Sequence, residues 1–289
     1  MNSIHQSIPP LRDLSKSFRK VFLEICSSGY RILGRTLTMT DNNVNPWQFS
    51  SGYPPSYSAQ GRYRFLQTLS LAQSLQPSSL LEVAAGGAFN AACLYELGRR
   101  VVVNDMRLSE EEIRSYATGK YLEIASGNLF ELQPESLGDF DLVMACEVLE
   151  HVAHGDQLVN HLKKFLLPGG WLLLTTPNGA YFRSKLPTYS QINDFEKLEA
   201  RQFQPDADGH LYLYTPSELK TLLEEAGLQD ITISLTITPW LSGHMGLRFL
   251  PALVFLAPIY YGLDWLTRQV GERVRVKLCT QMVALARIR

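Results

Sequence analysis

The 289 residues are 45% hydrophobic and carry a formal net charge of −1, with a pI near 6.6. That is enough apolar material for one sizeable core, and it excludes a global field that would gather nucleic acid. Four separated cysteines, Cys26, Cys93, Cys146 and Cys279, form neither CxxC pairs nor a dense framework, so they read as reduced thiols of a cytoplasmic protein.

The first forty residues hold Arg12, Lys16, Arg19, Lys20, Arg31 and Arg35 against Asp13 and Glu24, without the apolar run of a secretory signal. Leu14, Phe18, Val21, Phe22 and Ile25 fall at helical spacing within Leu11 to Leu37, which predicts an amphipathic helix that packs on the domain or rests on an anionic surface. Residues 42–58, containing "NNVNPWQFSSGYPPSY", are dense in turn formers and read as a linker or lid. We therefore divide the chain into a helical leader and linker at 1–58 and a single domain at 59–289.

After Pro77, short apolar runs alternate with helical stretches. "LLEVA" precedes a helix near Asn90 to Leu97, "RVVVND" one near Glu110 to Ala117, and "YLEIASGN" and "DLVMACE" follow. A helix from about Asp156 to Leu167 leads into "GWLLLTTP". Continuous apolar strands separated by helices predict a doubly wound, Rossmann-like α/β sheet covered on both faces. In "TPSELKTLLEEAG", Thr215 can cap, Pro216 suits the first turn, Glu218 completes a capping box and Gly227 stops the helix. "ITISLTIT" (231–238) and "CTQMVALARI" (279–288) predict two last strands, joined by an apolar insertion instead of a compact crossover helix.

Ligands of such sheets sit at the carboxyl ends of the strands, above the first βα turn. "EVAAGGA" occupies that turn, where Gly86 and Gly87 would let the chain pass close to an adenosine-type ligand, or simply join strand to helix. Asp105 ends the second strand, placed to accept from ribose hydroxyls or to cap the next helix. If Glu147 to His151 form one helical turn, Glu147, Glu150 and His151 share a face and make a half-site for Mg²⁺, Mn²⁺ or Zn²⁺; the alternative is a hydrogen-bonded cluster packing the turn. His151 and His210 are candidate general bases, with a plain loop role open for His210.

In these motifs the chain resembles the class I S-adenosylmethionine-dependent methyltransferases. "LLEVAAGGAFNAACLYELG" is similar to their first motif, "VVVNDM" to the second-strand motif, "GNLFEL" to the adenine segment, and "FDLVMACEVLEHV" and "LPGGWLLLTTPN" to the fourth- and fifth-strand signatures. "HLYLYTPSELKTLLEEAGL" is similar to a segment of small-molecule members. The resemblance implies a seven-stranded sheet of order 3-2-1-4-5-7-6, with a cofactor half at 78–180 and acceptor or lid segments at 181–210 and 239–271. It implies that Glu82 lies near the cofactor's amino group, that Ala84, Gly86 and Gly87 line its methionine and ribose, that Asp105 clamps the ribose beside Met106, that Asn128 and Leu129 meet the adenine, and that Cys146 borders the site. Ala84 and Ala88 stand where the family has glycine, and Asn128 where it often has aspartate.

E-x-x-E-H is similar to the pattern of ubiquinone-biosynthesis O-methyltransferases and small-RNA 2′-O-methyltransferases, where it implies a catalytic metal. The amino-methylating Asn/Asp-Pro-Pro-aromatic signature is absent after the fourth strand, which points to oxygen or carbon as acceptor atom. The expected function is methyl transfer to a small-molecule or lipid-linked acceptor, at a hydroxyl, with N- or C-methylation or a cofactor-degenerate scaffold as rivals. No nucleic-acid partner is expected. Phe249 to Leu263, fifteen uncharged residues, is too short to span a bilayer and reads as a lid, a peripheral membrane patch or a dimer contact.

Overall fold

The computed structural model describes residues 31–32, 35–36, 59–86, 89–95, 99–107, 109–112, 122–202, 204, 209–242 and 257–289. Arg31–Ile32 pairs antiparallel with Arg35–Thr36, so the chain is extended there and not helical as the leader's spacing predicts. The rest of the predicted leader helix and the linker lie outside the described residues, as do Gly87 and Ala88.

Seven strands make one sheet: β1 Ser79–Val83, β2 Arg100–Asp105, β3 Glu123–Ser126, β4 Phe140–Cys146, β5 Leu166–Pro177, β6 Gln229–Thr236 and β7 Gln281–Arg287. Their order is β3-β2-β1-β4-β5-β7-β6, the 3-2-1-4-5-7-6 arrangement expected. The first five run parallel, and β7 is antiparallel to both β5 and β6. The central strands are mostly apolar because both faces are covered. Leu81, Val83, Val143 and Leu172 pack into the core on one side, and Leu80, Leu142, Met144 and Leu173 into that on the other.

Helices α1 Ala59–Ser74, α2 Phe89–Tyr95, α3 Gly155–Leu162, α4 Phe195–Gln202, α5 Pro216–Glu225, α6 Ala257–Arg268 and α7 Glu272–Leu278 flank the sheet or follow its edge. The predicted capping box of α5 is present: Thr215 Oγ1 accepts from the Glu218 amide at 3.2 Å and Glu218 Oε2 from the Thr215 amide at 2.7 Å. Gly227, at φ +79°, ends the helix. The single helix expected from 156 to 167 is shorter, because Lys163–Phe165 tightens to a 3₁₀ turn before β5 starts at Leu166. The stretch between β6 and β7 is helical where described, with α6 and α7 following a four-residue turn at Pro239–Ser242. Among the described residues, no helix is long and apolar enough to cross a membrane.

Candidate active site

The strand register brings the predicted cofactor residues to one edge. Val83 lies opposite both Asn104 and Ala145, and Asn104 opposite Ala125, so Ala84, Asp105 and Met106, Asn128 and Cys146 all lie at or just beyond the carboxyl ends of four adjacent strands. The turn after β1 coils through Ala84 at φ +47° and Gly86 at φ +52°. A side chain on Gly86 would meet no atom within 4 Å, and the same holds at Gly127, φ +113°. Open space above two left-handed glycines is what backbone approach by a nucleoside requires. Ala84 takes the left-handed conformation despite its methyl, a strain that glycine would avoid.

Asp105 is buried and faces the turn: Oδ2 accepts from the Gly86 amide at 3.0 Å and Oδ1 from the Arg107 amide at 2.8 Å. It thus ties the β1 turn to the end of β2, while the neighbouring Met106 is exposed. Asn128 accepts from the Phe130 amide at 3.1 Å and caps the short turn Leu129–Glu131, which buries Leu129. Glu82 is 2% exposed, and its carboxylate holds the first turn of α2, accepting from Asn90 Nδ2 and the Ala91 amide at 2.8 Å each. Burial pushes its pKa up to about 7, against the lowering by those two bonds. Cys146, at the end of β4, is a free thiol whose pKa burial and then the charges of Glu82 and Glu147 push up.

After β4 the chain departs from the predicted helical turn. Glu147 is left-handed at φ +58°, and only Leu149–His151 winds as a 3₁₀ turn. Its carboxylate therefore leaves the face shared by Glu150 and His151 and is taken by Arg64 of α1 at 2.7 Å, by Thr175 Oγ1 at 2.7 Å, and by Gln281 Nε2. Glu147 is not among the residues whose ligand atoms converge, which are Glu150, His151 and His210. His210 takes its place, because the Leu211 amide donates to the Glu150 carbonyl at 2.8 Å and holds segment 209–214 against the 3₁₀ turn. Tyr212 Oη, donating to the Val152 carbonyl at 2.9 Å, and Tyr214, stacked on Tyr189, fix that segment from behind.

His151 and His210 meet edge to face, ring centroids 4.9 Å apart, and His210 Nε2 lies 3.9 Å from Glu150 Oε1. Glu150 is wholly buried; Oε2 accepts from Thr176 at 2.8 Å, while Oε1 has no hydrogen-bond partner. One ligand atom from each of Glu150, His151 and His210 falls within 4.8 Å of the others, a set that could hold a divalent ion. Burial lowers the pKa of both imidazoles, that of His151 with help from His210, so both favour the neutral form. Sequence reasoning missed Arg64, Thr175 and Gln281; nothing in their local sequence marks them.

A sequence model of the methyltransferase domain matches residues 57–233. The chain belongs to the methyltransferase-domain family. The methyltransferase is dependent on S-adenosylmethionine, and its β1 turn and strand order agree with that assignment. It is similar to the ubiquinone biosynthesis O-methyltransferase of Bordetella avium, 26% identical over 187 residues, 63% of this chain and 75% of that protein. The same-named protein of Xanthomonas euvesicatoria is 26% identical over 201 residues, 68% of this chain and 82% of its own. Among solved structures, the methyltransferase domain of bacterial CtHen1 superposes with a TM-score of 0.50 at 11% identity, covering 79% of this chain and all of that one, a likeness of fold.

Proposed function

We propose that this methyltransferase transfers its methyl group to a hydroxyl of a small or lipid-linked acceptor, with the His151–His210 pair as proton acceptor. The observation that carries the reading is the position of that pair: two neutral imidazoles at the same sheet edge as the glycine turn, backed by a buried carboxyl. The two relatives, both named as O-methyltransferases, support oxygen over nitrogen or carbon. S-adenosylmethionine, when bound, supplies a methyl on a sulfonium, open to in-line displacement. Gly86, Asp105 and Asn128 are the residues proposed to hold it. His210, half exposed at the rim, takes the acceptor's proton as the oxygen–methyl bond forms, and His151 orients the ring. Segments 181–210 and 239–271 shape the acceptor's place, and 78–180 the cofactor's.

A second reading is favoured by the unpartnered Glu150 Oε1: Glu150, His151 and His210 would hold a divalent ion, which would polarise the acceptor hydroxyl. One experiment tests both. Transfer of label from S-adenosylmethionine to a panel of phenols and catechols is measured for the parent, His210→Ala and Glu150→Gln, with and without chelator. Loss in His210→Ala with no chelator effect supports the base; chelator-sensitive activity restored by Mg²⁺, Mn²⁺ or Zn²⁺ supports the ion. Equal activity of parent and His210→Ala overturns both.

A further inference from the structure

Among its described side chains, helix α6 buries a carboxylate and exposes apolar groups. Its inward side carries Asp264, fully buried, whose Oδ1 accepts from the Thr238 amide at 2.9 Å, and Thr267, whose Oγ1 accepts from Trp240 Nε1 at 3.0 Å. Its outward side carries Ile259 and Leu266, 58% and 59% exposed, and Trp265. A helix folded only for packing presents the opposite polarity. Val270, Val274 on α7 and Phe182 are exposed as well, and the Phe182 amide donates to the Lys277 carbonyl at 3.0 Å. Of the apolar stretch 249–263, only 257–263 is described, and the exposed surface extends well past it.

Charge decides between the occupants of such a surface. Arg273, Arg275 and Lys277 lie on α7, and Arg183 and Lys185 follow Phe182; Glu272 is the one acidic residue of α7. A second copy of the chain would bring these cations against each other, whereas an anionic bilayer complements them and accepts the exposed apolar groups. The end of α7 is tied to the strands that carry the candidate active site. Asn178, which follows β5, donates to the carbonyls of Val276 and Cys279 at 2.8 Å each, and Gln281, at the start of β7, reaches Glu147.

We propose that α6, α7 and the 182–186 segment form a docking surface for an anionic phospholipid bilayer, seating the rim of the active site on the membrane. Its use in delivering an acceptor rests on the lipid-linked reading above; the docking itself does not. The test is co-sedimentation of the full chain with vesicles of phosphatidylcholine alone and of phosphatidylcholine mixed with phosphatidylglycerol. The parent is expected to sediment with the mixed vesicles and not with phosphatidylcholine alone. Leu266→Asp should weaken binding about tenfold or more, as should Arg273→Glu with Lys277→Glu. Both variants should retain the parent's circular dichroism and S-adenosylmethionine affinity. The double charge reversal is wholly on the exposed side of α7 and serves as the deciding variant if Leu266→Asp does not fold. A parent that stays in the supernatant with both vesicles overturns the proposal. So does a concentration-dependent dimer in sedimentation velocity that Leu266→Asp dissociates without changing vesicle binding. S-adenosylmethionine affinity, read separately, keeps failure of the docking distinct from failure of the methyl-transfer reading.

Discussion

Glu82 is a carboxyl that the fold holds at a thermodynamic disadvantage, and replacing it with glutamine isolates the size of that disadvantage. Burial raises its pKa from 4.5 to about 7. Between those values the folded chain binds more protons at this site than the unfolded chain, so the group's contribution to stability is present at acid pH and lost as pH rises to about 7. The span corresponds to about 3 kcal/mol. Glutamine removes the titration. Its Oε1 can still accept from the Ala91 amide, and its amide can donate to Asn90 Oδ1, a buried atom with no present partner, once the Asn90 amide turns over. Allowing for one weakened hydrogen bond of about 1 kcal/mol, Glu82→Gln should be about 2 kcal/mol more stable than the parent near pH 8 and no more stable near pH 5. The lowered pKa values of His151, His161 and His210 act in the opposite direction, raising stability with pH, so the readout is the difference between the two proteins. Urea unfolding followed by circular dichroism at the two pH values measures it. A variant whose stability parallels the parent's at both would refute the account of Glu82.

Ala84→Gly should relieve a left-handed strain of roughly 1–2 kcal/mol, offset in part by greater freedom of the unfolded chain, for a net gain of about 0.5–1 kcal/mol. Thermal unfolding reads it, and a lower melting temperature would contradict it. Gly155→Ala should cost about 1–3 kcal/mol, because the added carbon would lie 2.2 Å from Tyr214 Oη and 3.1 Å from Leu149 Cδ1. The same clash displaces the segment that carries His210, so turnover should fall along with stability; a variant with parental values for both would contradict the packing.

The sheet was legible in the sequence because its central strands are largely buried on both faces and so stand out as short, mostly apolar runs. The α5 cap was legible because its partners, Thr215 and Glu218, are three residues apart. Asp105 stands at the end of the second strand as expected, and its hydrogen bonds come from the Gly86 amide of the β1 turn and the Arg107 amide after β2. The helical turn expected over Glu147–His151 is confined to Leu149–His151 because the Glu147 backbone is left-handed. The partners of Glu147, namely Arg64, Thr175 and Gln281, are 83, 28 and 134 residues away, and no local pattern encodes such contacts. Glu150 and His151 were read correctly as neighbours, but the third member of the cluster comes from 59 residues further along the chain, across a backbone bond between Leu211 and Glu150.

The turn at Ala84–Gly86, tied down by Asp105, is the proposed S-adenosylmethionine site. Isothermal titration with S-adenosylmethionine and S-adenosylhomocysteine, comparing the parent with Asp105→Ala, tests it most directly. We expect micromolar binding by the parent and a loss of about tenfold or more in a variant that remains folded, since the carboxylate shapes the turn and is the proposed acceptor for the ribose. A folded parent that binds neither compound, or a variant that binds as tightly as the parent, would contradict it.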